Sequence, residues 1–403
     1  MVSLFDAISL VDKALKDHIA QTEVVSIEDA IDRISATNIK CKIPLPPFDN
    51  SAMDGYAVCG DGKRFENVSK IFAGDTKSYT LKAKEAYRIF TGAKVPKNCD
   101  YVIPQEMVKI ENDQVVLDDT LKKGANIRRS GEDIDIDDNI LDIGDRIDSS
   151  HIALLASQGI GKVDVFCKTK VAVFTSGSEL KMIGEKIKDG EIYNSNTPYL
   201  IARAKELGAE VLFLGKSQDD KESLKRVIEE GLDADLIVTS GGISVGEADL
   251  TKDAFFELGM DTIFNKISIK PGKPTTFGKI GKSFVLNLPG NPLASALNFE
   301  IVGKFIINRI SGSNSPYQNY ITATLKDDIY SPKPVSNVVV GNFDGSSFHP
   351  LKGVSPGNVN VLNRSNSFVV IDQKKDLIKK DEIIKVIPIS WRFFSREFVD
   401  FTS

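Results

Sequence analysis

Between Lys170 and Leu288, short apolar, β-branched runs alternate with amphipathic helical patterns, and this alternation restricts the possible fold more than any other feature of the chain. Val171-Ala172-Val173-Phe174-Thr175, Val211-Leu212-Phe213-Leu214 and Leu236-Ile237-Val238-Thr239 have the length and composition of strands buried on both faces. Between them, Leu200, Ala204 and Leu207, then Leu224, Val227 and Ile228, recur at helical spacing. Strands joined in this way lie parallel in one sheet, and such sheets take ligands beyond the carboxyl ends of their strands. Here those ends carry Thr175-Ser176-Gly177-Ser178-Glu179, Thr239-Ser240-Gly241-Gly242 and Leu288-Pro289-Gly290-Asn291-Pro292.

The flanks read differently. Ser3 with Asp6, and Ser26 with Asp29, are capping-box signals that predict two N-terminal helices; Leu4, Ile8, Val11, Leu15 and Ile19 line the first, and Ile27, Ala30, Ile31 and Ile34 the second. Ile43-Pro44-Leu45-Pro46-Pro47 stops them. From Tyr56 to Arg129 the texture is β, with a hairpin over Val108–Glu111 and Gln114–Leu117 turned at Asn112-Asp113. A helix over Ser150–Gln158 is expected to return to the N-terminal helices, which makes the β-rich unit an insertion. A long helix from Pro292 to about Ile310 closes the α/β unit, and strand-like runs follow the Ser311–Pro316 linker. The expected architecture is a multi-domain α/β plus β chain. Its parts are a discontinuous helical N-terminal unit (1–43 and 135–168), an inserted β-rich unit (44–134), a central, mainly parallel α/β unit (169–312) and a C-terminal β unit (317–403).

Composition narrows the function. At 403 residues, 41% hydrophobic and 27% charged, the chain has apolar material for several cores. A net charge of −5 provides no global positive field, so neither nucleic acid nor an anionic membrane is an expected partner. Cys41, Cys59, Cys99 and Cys167 show no metal-binding or disulfide spacing and suit a reducing cytosol; the three histidines stand apart. With no secretory pattern at Met1–Asp6 and no uncharged span approaching ~18 apolar residues, a soluble, cytoplasmic protein is expected.

The candidate site residues cluster in turn-like segments. Pro46–Val58 (PPFDNSAMDGYAV) is an ordered loop leading into a strand; taken alone, Asp49 and Asp54 read first as Asx-turn residues that bond nearby backbone amides. Glycines at the end of an apolar strand, in Ser240-Gly241-Gly242, let backbone N–H groups approach an anion, and a helix starting near Asp249 adds its positive end. The spacing matches neither the Walker loop nor the dinucleotide fingerprint. On a strand, Lys266, Ser268 and Lys270 share one face, and Lys273 follows a Pro-Gly turn, a set suited to a phosphate ester or oxoanion. Carboxylates at Glu132, Asp133, Glu179, Asp219, Asp220 and Asp249 suit either helix capping or Mg²⁺, which is commonly held by one or two carboxylates plus substrate phosphates. Residue-level reasoning ends at an Mg²⁺/phosphate site on an α/β unit.

In order along the chain, Pro46–Val58, Phe90–Pro96 (FTGAKVP), Arg128–Ile134 (RRSGEDI), Thr175–Leu180 (TSGSEL), Ser240–Asp249 (SGGISVGEAD), Ile269–Pro274 (IKPGKP) and Asn287–Pro292 (NLPGNP) resemble the MoeA/gephyrin E-domain family of molybdopterin molybdenumtransferases. The resemblance implies an elongated homodimer that uses the N-terminal unit for dimerisation. It also implies an α/β unit like that of molybdopterin adenylyltransferases, and a cleft between that unit and domains of the partner subunit. The implied reaction inserts molybdate into adenylylated molybdopterin with Mg²⁺-dependent hydrolysis of the phosphoanhydride, releasing AMP and molybdenum cofactor. Molybdopterin adenylyltransferase and recipient apo-molybdoenzymes are the implied protein partners.

Carried over by position, Asp54, Asp133, Glu179 and Asp249 are the implied catalytic acids, and Glu179, Asp219 (or Asp220) and Asp249 the implied metal ligands. Thr91, Ser240, Gly241, Gly242, Lys266, Lys270, Lys273, Pro289 and Pro292 are the implied substrate-binding residues. Which acids bind Mg²⁺ and which position the attacking oxygen stays open, as does molybdate against tungstate. Near the C-terminus the chain departs from the family's GSGML…AN pattern, with Pro356 and Asn366 in the corresponding stretch. A non-catalytic scaffold and an adenylyl-transfer enzyme are the competing readings; the clustered acids and lysines disfavour the first, and the additional domains the second.

Overall fold

The computed structural model describes residues 1–241, 250–331, 334–390 and Thr402. Its centre is a six-stranded sheet of β1 (Lys170–Ser176), β2 (Glu210–Ser217), β3 (Leu236–Ser240), β4 (Asp261–Phe264), β5 (Thr276–Ile280) and β6 (Ser283–Leu288), in the order β2-β1-β3-β6-β5-β4. The first four strands in that order are parallel, and β5 and β4 continue the sheet antiparallel. Both faces are covered, which explains the unbroken apolar runs. Val171, Val173, Leu236, Val238 and Leu286 share a core with Leu200 and Ala204 of the Asn196–Glu206 helix and with Leu293 and Leu297. Ala172, Phe174, Ile237 and Val285 share another with Leu224 and Ile228 of Lys221–Glu230 and Ala254 and Phe255 of Leu250–Glu257.

From β1 the chain passes through one helix to β2, then through a helix on the opposite face to β3 on the other side of β1. The strand order therefore reverses between β1 and β3, and their carboxyl ends flank the crevice where such sheets bind ligands. The predicted closing helix is one continuous rod: Pro292–Asn298, a π-helical turn over Phe299–Gly303, and Lys304–Ile310.

The N-terminal segment departs from the two-helix expectation. The first helix forms over Leu4–Leu15, and its Ser3 hydroxyl caps the Asp6 amide at 3.1 Å. Leu4, Ala7, Val11 and Leu15 join the core of the α/β unit, while Ile19 is exposed. The second helix is a single 3-10 turn, Ile27–Asp29. Val24 and Val25 instead lie in a strand, Thr22–Ser26, paired antiparallel with Lys162–Phe166, and Asp32 at φ 61° turns the chain out of helical geometry. The Ser26 cap forms, accepting from the Asp29 amide at 3.3 Å, but the chain leaves helical geometry after a single turn. The Ser149–Ser157 helix packs Leu155 with Ile27, Ala30, Cys41 and Leu141, and so meets the 3-10 turn rather than the first helix.

Residues 55–117 form a separate mixed sheet, including the hairpin of Val108–Glu111 with Gln114–Leu117. Its turn residues Asn112 and Asp113 both have positive φ, the conformation that a two-residue hairpin of this hand requires. At the other end of the chain, Ser336–Phe343, Ser347–Pro350, Ile321–Leu325, Ile383–Pro388 and Ser367–Ile371 close on themselves into a barrel around Phe348, Leu325 and Val386. Among the described residues, no helix is long and apolar enough to cross a membrane.

Candidate functional site

Three of the sequence motifs meet on the inserted sheet. Asn50–Ser51 pairs with Ile127–Arg128, and Ser51 exchanges hydrogen bonds with Gly92 and Ala93 (2.9 and 3.0 Å). Asp49 accepts from the Ser130 amide at 2.9 Å and from Arg129, so it clamps the RRSGED loop onto the SAMDGY loop. The Ser130 amide, with Arg129, holds the Asp49 carboxyl below the usual range. Asp54 sits at the exposed edge of this assembly. Its Oδ1 accepts from both the amide and the hydroxyl of Thr91, each at 2.8 Å, and these two donors hold its pKa down. Gly55 follows because its Cα lies against the neighbouring strand: a Cβ there would stand 1.9 Å from the Ile103 carbonyl oxygen. Asp133 is exposed on the RRSGED loop, its amide bonded to the Leu45 carbonyl at 3.0 Å.

A second group gathers at the switch point of the central sheet. Asp220 is the N-cap of its helix, accepting from the Ser223 amide at 2.8 Å, whereas Asp219 turns the other way and accepts from the Ser178 amide at 2.5 Å. Asp219 is thus the acid that joins the Glu179 loop, and Asp220 is structural. Lys216 braces that loop from behind through the Leu180 carbonyl, 2.6 Å away. Ser240 is buried, with its hydroxyl 2.7 Å from Asn196 Nδ2 and 3.1 Å from the Pro289 carbonyl. Asn196 also donates to the Gly290 carbonyl at 2.8 Å, which ties the two glycine loops together. Gly241 has φ 101° and would hold a Cβ 3.0 Å from the Ser176 carbonyl; Gly290 packs against its Cα. Pro292 opens the long helix. Gly242 and Asp249, both predicted site residues, lie outside the described residues.

The lysine segment is not the strand that alternation predicted. Ser268 is buried at 7% exposure between Ile267 and Ile269, while Lys270 and Lys273 are exposed and Lys266 is half-buried. The cause is the company the backbone keeps. Val2 bonds Lys266 and Ser268 (3.0 and 2.7 Å), the Ile269 amide closes a tight turn onto the Ile267 carbonyl, and Ile269–Lys270 pairs with Ser336–Asn337 of the barrel. The segment therefore bridges the α/β unit and the C-terminal barrel. Its Pro271-Gly272 turn rests on Asn298, fully buried, whose Nδ2 donates to the Pro271 carbonyl at 3.2 Å and the Ala294 carbonyl at 2.7 Å. Gly272 has φ 113°, and a Cβ on it would fall 1.6 Å from Asn298 Nδ2. Gly272→Ala is expected to cost about 1–3 kcal/mol through strain and the lost Asn298 contact, read as a lower Tm. A Tm within a degree of wild type would show that the turn is not held this way.

Among the described residues, no hydrogen bond or ion pair joins Asp54, Thr91 or Asp133 to Glu179, Asp219, Ser240 or the lysines. Nor do the described residues hold a ready cluster of three or more His, Cys, Asp or Glu side chains for a metal. The sequence reading missed Asn196 and Asn298, each an asparagine on a helix with no pattern to single it out. Asp49 it weighed only as a turn former.

Comparison with known proteins agrees with this layout. Residues 2–159 match the family described as MoeA N-terminal region (domain I and II), and residues 172–309 the probable molybdopterin binding domain. The chain is 35% identical over 382 residues to the molybdopterin molybdenumtransferase of Haemophilus influenzae, covering 92% of this chain and 94% of that one. It is 31% identical over 369 residues to the molybdopterin molybdenumtransferase of Bacillus subtilis, covering 87% and 86% of the two chains. The crystal structure of the molybdopterin biosynthesis MoeA protein from Pyrococcus horikoshii superposes with a TM-score of 0.81 at 30% identity, covering 97% of this chain and 100% of that one.

Proposed function

The chain belongs to the MoeA family of molybdopterin molybdenumtransferases, enzymes of molybdenum-cofactor biosynthesis, and from that premise we propose that it inserts molybdate into adenylylated molybdopterin with Mg²⁺-dependent cleavage of the phosphoanhydride, releasing AMP. The observation that carries this reading is the meeting of Glu179, Asp219, the Ser240-Gly241 turn and Pro289-Gly290 at one switch point, with the lysine turn braced on the same long helix.

Mg²⁺ fits the acids present. Asp219 commits one oxygen to Ser178 and keeps the other, and Glu179 stands one residue further along that loop. Two carboxylates completed by substrate phosphate and water are the usual setting for this ion. When bound, Mg²⁺ neutralises phosphate oxygens. The protein's own groups do the rest. Lys266, Lys270 and Lys273 supply positive charge for molybdate or phosphate, and the backbone of Ser240-Gly241 orients an anion. Asp54, kept anionic by Thr91, and Asp133 supply negative charge from the other unit, and Asp249 is assigned to Mg²⁺ or to placing the attacking oxygen.

Because the two groups are not joined within the chain, we place them together across a homodimer, with Asp54, Thr91 and Asp133 of one subunit facing the α/β rim of its partner. Molybdopterin adenylyltransferase as supplier and apo-molybdoenzymes as recipients complete the partners, in the cytoplasm.

The test is AMP release from adenylylated molybdopterin by the purified protein with Mg²⁺, with molybdate added or omitted. Molybdate-dependent release, with transfer of active cofactor to an apo-molybdoenzyme, is expected. A folded protein that binds the substrate without cleaving it would overturn the proposal.

A further inference from the structure

The carboxyl ends of β3 and β6 are closed by side-chain hydrogen bonds on one face of the sheet and, among the described residues, carry none on the other. Toward the Asn196 and Pro292 helices, the Ser240 hydroxyl meets Asn196, Ser295 and the Pro289 carbonyl. Toward the helices that carry Leu224 and Ala254, Thr239 of β3 and Asn287 of β6 are register partners on adjacent parallel strands. Their side chains lie on one face, a strand spacing of roughly 4.8 Å apart. Both are buried, at 0% and 1% exposure, yet among the described residues the Thr239 hydroxyl and both polar atoms of the Asn287 amide have no hydrogen-bond partner. The next residues in the row offer none: Phe174 is apolar, and the Thr276 hydroxyl is directed to the Asn265 carbonyl at 3.3 Å.

Three orphaned polar atoms, buried near the carboxyl ends of two central strands, carry the full desolvation penalty, which Val and Leu at these positions would avoid. Their location gives the reason for keeping them. Thr239 directly precedes Ser240-Gly241, and Asn287 directly precedes Leu288-Pro289-Gly290, the two backbones that form the anion site. These are joined by a long bond of 3.3 Å from the Gly241 amide to the Leu288 carbonyl.

We propose that Asn287 and Thr239 are positioning residues whose polar groups find partners when substrate occupies the strand ends, so that the bound arrangement is favoured by satisfying them. The ligand-free protein carries the penalty, and ligand binding relieves it. That is the differential interaction a population shift requires. The inference rests on the insertion reading above.

Asn287→Leu and Thr239→Val in the full chain test it, with Thr239→Ser as the variant that keeps the hydroxyl. Two readouts separate the roles: Tm without ligand, and KM and kcat for adenylylated molybdopterin. Both apolar variants are expected to hold or raise the Tm while raising KM about tenfold, the loss of one buried hydrogen bond in the bound state, with Thr239→Ser close to wild type. A Tm that falls by several degrees makes the pair structural and overturns the proposal; so does an unchanged KM. Should Asn287→Leu fail to fold, the two Thr239 variants decide. Wild type is assayed alongside: an inactive wild type sinks the insertion reading and this inference with it. An active wild type beside unaffected variants sinks this inference alone.

Discussion

Asp54→Asn is expected to lower turnover by at least about 100-fold while the protein remains folded, the scale seen when one preorganised electrostatic group is removed from an active site. The side chain sits at the edge of its sheet, and its one engaged oxygen, Oδ1, accepts from Thr91 twice. Asparagine offers an amide oxygen of the same shape to those donors, so the loop around Thr91 keeps its geometry and only the charge disappears. A loss of activity with unchanged Tm and circular dichroism isolates the charge; turnover within threefold of wild type would remove Asp54 from the catalytic set. The pH dependence has a definite sign. The Thr91 amide and hydroxyl depress the Asp54 pKa, so the anion persists as pH falls through the ordinary aspartate value near 3.9. An acid limb of the wild-type rate profile at pH 5 or above therefore belongs to another group or to the substrate.

The parts of this molecule that could be read in advance are those where local signals and tertiary packing agree. Val171–Thr175 and Leu236–Thr239 are apolar on both faces because helices cover both, and that arrangement alone locates the crevice at Ser176-Gly177 and Ser240-Gly241. Asn112-Asp113 turns a hairpin because both residues tolerate positive φ. Where tertiary partners decide, the pattern misleads. Ser26 and Asp29 do cap, but the strand before them and the left-handed Asp32 leave one turn instead of a helix. Lys266–Lys270 alternates like a strand, yet Val2 on one side and Ser336 on the other fix its backbone, and Ser268 ends up inside. Asp219 and Asp220 are equivalent as letters, and only the direction each side chain takes separates a helix cap from an acid that joins the Glu179 loop. Asn196 and Asn298 leave no mark in the sequence because their partners are mostly backbone carbonyls, which any residue supplies, with only the Ser240 hydroxyl added for Asn196.

Glu300→Ala is expected to destabilise the protein by about 3 kcal/mol, because it strips the buried Nε and Nη2 side of the Arg203 guanidinium of its carboxylate and leaves only the half-exposed Glu206 on Nη1. Glu300 is 2% exposed on the π-helical turn of the long helix. Arg203 grips it with Nε to Oε1 at 2.6 Å and Nη2 to Oε2 at 2.9 Å, a two-pronged pair, and Nη2 also donates to the Ile389 carbonyl at 3.2 Å. Tyr199 adds a third donor at 2.9 Å, and burial together with the Glu300 charge pushes its phenol up, so it stays protonated and donating. The carboxylate is well satisfied, yet its worth lies in what its loss exposes rather than in net attraction, since desolvating both charges cancels much of the Coulomb gain. Replacing both partners, Arg203→Met with Glu300→Leu, should therefore recover most of the stability that either single change removes, and the urea midpoints of the three variants measure this. Additive losses in the double variant, or a Glu300→Ala protein within 1 kcal/mol of wild type, would contradict it. The consequence reaches the site through one rod. The helix that Glu300 pins to Arg203 begins at Pro292 beside the glycine loops and carries Asn298 beneath the lysine turn. Loosening that helix moves the proline loop and the lysines together, and KM should rise in the single variant well below the temperature at which it unfolds.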